Sequence, residues 1–72
     1  MTFLELLHLA TFNNGIAGND DYMVTVFKDC FVLCNADTEL LVIVTEYDSC
    51  LSFCYPDVAE KFLQAVQEYK NT

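Results

Sequence analysis

Four runs rich in β-branched, aromatic and aliphatic residues (YMVTVF, CFVLC, ELLVIVTEY and CLSFCY) lie between Tyr22 and Tyr55, with only two to four residues between successive runs. That spacing limits the fold more than any other feature of the chain. Parallel neighbours need a crossover of a dozen residues or more, whereas two residues suffice to join antiparallel ones. The runs are therefore expected as strands of an antiparallel meander: Tyr22 to Phe27, Cys30 to Cys34, the segment around Leu40 to Val44, and Cys50 to Tyr55. Lys28 with Asp29, Asn35 to Thr38, and Asp48 with Ser49 supply the turns. Leu40 to Val44 is apolar at every position, the pattern of a central strand covered on both faces.

Helices are expected on either side. Thr2 and Glu5 form the T-x-x-E arrangement that closes a helix N-terminus, and Asn13, Asn14 and Gly15 supply a stop, which predicts a helix from Phe3 to Phe12. Its apolar residues wrap most of the circumference, with only Glu5, His8 and Thr11 as polar relief. Such a helix is buried on more than one side. Phe3, Leu4, Leu7 and Phe12 are accordingly the expected interface of a homodimer. NNGIAGNDD reads as a loop. After Pro56, Asp57 and Glu60 form a second capping arrangement, and Val58, Phe62, Leu63, Val66 and Tyr69 make one apolar stripe of a helix ending near Tyr69. The expectation is one α+β domain over residues 1–72, ordered α-β-β-β-β-α, an antiparallel meander sheet packed with N- and C-terminal helices.

Hydrophobic residues make up 54% of the chain, yet the net charge is −8. A chain this small has little interior for so much apolar surface, so part of it is expected to be covered by a second copy or a partner. Eleven acids stand against three lysines and no arginine. Phosphate backbones and anionic membranes are bound by basic side chains, so direct nucleic-acid and membrane binding are disfavoured and a basic protein partner is favoured. MTFLELLHLATF lacks a basic leader and is too short to span a bilayer, so the chain is expected in a reducing cytoplasm.

The cysteines, Cys30, Cys34, Cys50 and Cys54, fall in two C-x3-C pairs. On strands each pair is roughly 13 Å apart, too far to chelate one ion. In a meander the second and fourth strands do not touch, which disfavours disulfides. A different strand order would set Cys30 opposite Cys54 and Cys34 opposite Cys50. Free, mostly buried thiols are the expected state. His8 has no Cys-His signature around it, GNDDY lacks the ligand alternation of a calcium loop, and no nucleophile elbow or phosphate loop occurs. No enzymatic activity, cofactor or metal is expected.

The remaining signal is acidic. Asp20 with Asp21, Asp37 with Glu39, and Glu46 with Asp48 sit at turns, and alternate turns of a meander emerge at one end of the sheet. Carboxylates spaced over a rigid domain can stand in for a phosphate backbone. In size, acidity and absence of catalytic motifs the chain resembles the small acidic inhibitors made by phages, including anti-CRISPR and anti-restriction proteins, with no motif in common. The resemblance implies a nucleic-acid mimic that inhibits a nucleic-acid-handling protein, with those six acids as partner-binding residues. The alternative is a structural or assembly subunit acting through a homo-oligomeric apolar interface.

Overall fold

The structure, a computed structural model, describes residues 1–71. Its elements are α1 (Phe3–Phe12), β1 (Ile16–Gly18), β2 (Tyr22–Val26), β3 (Cys30–Asn35), β4 (Leu40–Thr45), β5 (Cys50–Ser52) and α2 (Pro56–Lys70). The strands form one antiparallel sheet in the order β1-β2-β3-β4-β5. The α+β meander with a helix at either end matches the sequence reading, with one strand more than expected.

That strand is β1, inside the segment read as a loop. Gly15 makes it possible. Its φ of +89° is left-handed, and a Cβ there would lie 2.9 Å from the Val26 carbonyl oxygen. The absence of a side chain lets the Val26 N–H donate to the Gly15 carbonyl at 2.7 Å, which starts the β1–β2 pairing. The Gly15 N–H also donates to the Ala10 carbonyl at 2.7 Å and closes α1.

At its other end α1 carries the expected reciprocal cap. The Glu5 N–H donates to Thr2 Oγ1, and the Thr2 N–H to Glu5 Oε1, both at 3.2 Å. The cap expected for α2 does not form. Pro56 takes the first helical position and Tyr55 the N-cap, without a side-chain hydrogen bond, so Asp57 lies within the first turn. Proline suits that position because its missing N–H would have no helical partner there. Asp57 at the start and Lys70 at the end still match the helix dipole.

Both helices lie on one face of the sheet and run side by side in the same direction: Phe3 meets Phe62 edge-on at 5.6 Å, and Thr11 hydrogen-bonds Tyr69. Leu6, Leu7 and Ala10 of α1 and Ala59, Phe62, Ala65 and Val66 of α2 close over Ala17, Val24, Phe31, Leu33, Val42 and Val44. Among the described residues, no helix covers the other face. The two-sided cover expected for Leu40 to Val44 is thus supplied on one side only: Val42 and Val44 are fully buried, while Ile43 between them stays partly accessible. A register shift beside Leu33 and Cys34 also turns Leu41 toward the core cluster.

Two of the turns share a design. The N–H of Thr38 donates to the Asn35 carbonyl and that of Asp48 to the Thr45 carbonyl, each at 3.0 Å, and both donors have left-handed φ, 64° and 63°. Asn35 Oδ1 accepts from Asp37 and Glu39 at 2.9 Å, and Thr45 Oγ1 accepts from Ser49 at 3.2 Å.

Candidate interaction surfaces

The exposed sheet face is built by alternation. Ile16, Thr25, Val32, Ile43 and Leu51 stand in register across all five strands, each beside residues that point into the core. Met23, Cys34 and Leu40 form a second row, and Cys30 and Thr45 begin a third. The face bears no charged residue. Ile16 and Leu51 at its edges are 48% and 57% exposed, while Val32, Thr25 and Ile43 are half-buried only by their neighbours.

The ends of the sheet differ in charge. The turns before β2 and before β4 emerge together at one end and bring Asp20 and Asp21 near Asp37 and Glu39, roughly 10 Å apart by strand spacing. Asp57 starts α2 at this same end. Asn19 Oδ1 fixes the first of these turns, accepting from the N–H groups of Asp21 and Tyr22 at 2.8 Å. The third expected pair, Glu46 and Asp48, lies at the opposite end with Asp29 and Lys28. There Lys70 Nζ bonds Asp48 Oδ1 at 2.9 Å and the carbonyls of Glu46 and Thr45 at 2.9 and 3.3 Å. Asp48 is therefore engaged within the chain, and the six acids divide four against two.

Beside the four-acid end the chain leaves the sheet early. β5 stops at Ser52, the Phe53 N–H makes a last bond to the Leu41 carbonyl at 2.7 Å, and residues 53–55 cross the sheet end. The result is an open groove of about 680 Å³, lined by Asp21, Tyr22, Leu41, Phe53, Tyr55 and Val58 among others. Phe53 and Tyr55 are 60% and 79% exposed on its wall. Sequence reasoning placed both aromatics inside a strand and missed this groove. A second, adjoining groove of about 610 Å³ shares Asp21, Tyr22 and Val58 and includes Lys61.

The interface expected on α1 is largely consumed by the chain's own core. Leu7 is fully buried against α2 and the sheet, and Phe3 and Leu4 pack against that core, partly buried. Of the four residues named, Phe12 alone is well exposed, at 88%. The helix is apolar on two sides because it packs on α2 and on the β1–β2 hairpin at once. His8 packs its ring against Tyr69 at 5.3 Å.

All four cysteines are free. Cys30 and Cys34 lie on the exposed sheet face, Cys50 on the helix-side face at the sheet edge, and Cys54 in the link to α2. They do not share one face. Burial, with Asp57 and Cys50 nearby, raises the pKa of the Cys54 thiol. Among the described residues no cluster of three metal-ligating side chains occurs, and no helix is long and apolar enough to cross a membrane. Compared with protein-family models, curated proteins and solved structures, the chain matches none of them.

Proposed function

We propose that this is a small, acidic, non-enzymatic interaction protein of the cytoplasm that binds a basic surface of a nucleic-acid-handling partner and inhibits it by occupying that surface. One observation carries the reading: an aromatic groove lined by Asp21 opens at the sheet end whose turns carry Asp20, Asp21, Asp37 and Glu39. Lysine and arginine side chains suit such a place twice over. Carboxylates attract them from a distance, and exposed aromatic faces hold them at contact. Glu46 and Asp48 at the other end are secondary, since Lys70 already engages Asp48 and the Glu46 backbone.

The test is capture from cell lysate across a salt series, using the chain itself and a variant carrying Asp20→Asn, Asp21→Asn, Asp37→Asn and Glu39→Gln. These acids are exposed, so folding should be kept. The expected result is capture of a nucleic-acid-binding enzyme that fades as salt rises, is lost in the variant, and competes with that enzyme's nucleic acid. Equal capture by the variant at every salt concentration refutes the reading.

A further inference from the structure

We infer that a second copy of this chain covers the exposed sheet face, in a two-fold dimer whose axis runs across the strands and passes at Val32. Three observations select this occupant. The first is the absence of charge. A chain with eleven acids and three lysines places none of them on this face, so a basic partner finds no counter-charge there. An isologous interface instead needs a surface that complements itself, and an uncharged apolar face does so.

The second is the asymmetry of the two ends. An axis across the strands reverses the second sheet and lays each four-acid end over the partner copy's opposite end, where Lys28 and Lys70 offset two of the three acids Asp29, Glu46 and Asp48. An axis along the strands would stack the two four-acid ends on each other. Charge opposes the pairing in either case, and it selects the orientation that keeps the two four-acid ends apart. Face-to-face sheets pack about 10 Å apart with strand directions within roughly 30°. In this arrangement Val32 meets Val32 of the second copy, and Thr25 and Ile43 flank it.

The third is size. At ~4.8 Å between strands and ~3.3 Å per residue, the five strands give a footprint of roughly 360 Å² per copy. Side-chain relief and the exposed rim of Ile16, Leu40 and Leu51 raise the accessible area above that footprint. Two copies then remove on the order of 1,000 Å², where specific interfaces begin. The expected dimer dissociates in the micromolar range.

The experiment is sedimentation equilibrium of the full chain across the micromolar range, beside Val32→Lys and Phe12→Ser. The wild type is expected to pass from monomer to dimer, and added salt to tighten the dimer by screening two chains of net charge −8. Val32→Lys sets like charges together at the axis and should weaken association at least ~100-fold. Phe12→Ser, on the exposed end of α1, should leave it unchanged. In a mixed-label sample, isotope-filtered NMR contacts between Val32 methyl groups of different copies locate the interface without mutation. A wild type monomeric throughout, a Val32→Lys chain that dimerises like wild type, or cross-copy contacts confined to α1 each overturn the inference. The four-acid variant of the capture experiment keeps these residues intact, so loss of partner capture and loss of dimerisation fail separately.

Discussion

Replacing Gly15 by alanine tests how the first hairpin is held. The native φ of +89° is left-handed, which costs an ordinary L-residue about 1–2 kcal/mol. The new methyl carbon would also lie 2.9 Å from the Val26 carbonyl oxygen, a backbone atom with no rotamer to change. Relieving that overlap means shifting the β1–β2 register or stretching the 2.7 Å bond from the Val26 N–H to the Gly15 carbonyl, which adds about 1 kcal/mol. Against this, alanine narrows the unfolded ensemble and returns about 0.4–1 kcal/mol. The net destabilisation is about 2 kcal/mol, a large share of the roughly 4–11 kcal/mol available to a chain of this size. In a domain this small it lowers Tm by roughly 8–16 °C. Thermal and urea unfolding followed by circular dichroism measure it, with Gly18→Ala as reference. At Gly18 a Cβ would lie 3.1 Å from the Tyr22 carbonyl oxygen, and φ is outside the left-handed region, so the loss should be smaller. A Gly15→Ala chain within about 0.5 kcal/mol of wild type would refute the reasoning.

Three other perturbations have definite expected outcomes. The backbone and side-chain hydrogen bonds from Thr2 hold the Glu5 carboxyl below its usual range, so this contribution to stability is present above the unfolded carboxylate pKa and lost as pH falls through the lower folded value; urea midpoints across mildly acidic pH should show that loss in wild type and less of it in Thr2→Ala. Lys70→Met removes the bonds that tie α2 to the turn after β4 while keeping the side chain's apolar stem, and should cost about 1 kcal/mol in chemical unfolding. Exposed Cys50 should alkylate before Cys54 at neutral pH, because the raised pKa of Cys54 keeps it protonated, and mass spectrometry of the labelled chain reads the order.

Where residues act locally, the fold was legible. The T-x-x-E cap and the Asn-Asn-Gly stop fixed α1 at Phe3 and Phe12, and both limits agree with the structure. β1 escaped because three residues cannot display an alternation and both glycines flank or end it; its existence depends on a close approach of Gly15 to Val26 that only the folded pair reveals. The α2 cap went to Tyr55 rather than Asp57 because proline at the first helical position shifts the start by two residues. Leu7 looked available for an interface because periodicity shows how much of a helix is apolar, not which neighbour covers it. Turn parity correctly brings Asp20 and Asp21 to the end holding Asp37 and Glu39. The groove at that end was hidden, because Phe53 and Tyr55 continue a strand-like pattern past the last residue that β4 can pair.

The two proposed surfaces constrain each other, and that constraint can be measured. With the dimer axis across the strands, the four-acid ends point in opposite directions, and each chain extends about 27 Å along its longer axes. Both grooves then stay open, but they cannot reach one flat partner surface together, so simultaneous engagement gives no avidity on a single partner. The dimer should instead bridge two partner molecules. Light scattering of the purified complex is expected to give two chains with two partners for wild type, and one of each for Val32→Lys, with equal affinity per groove. A wild-type complex of one chain with one partner, formed from a chain that is dimeric when free, would mean that the partner displaces the second copy. The sheet face would then be where the partner binds, and the acidic groove would lose its assigned role.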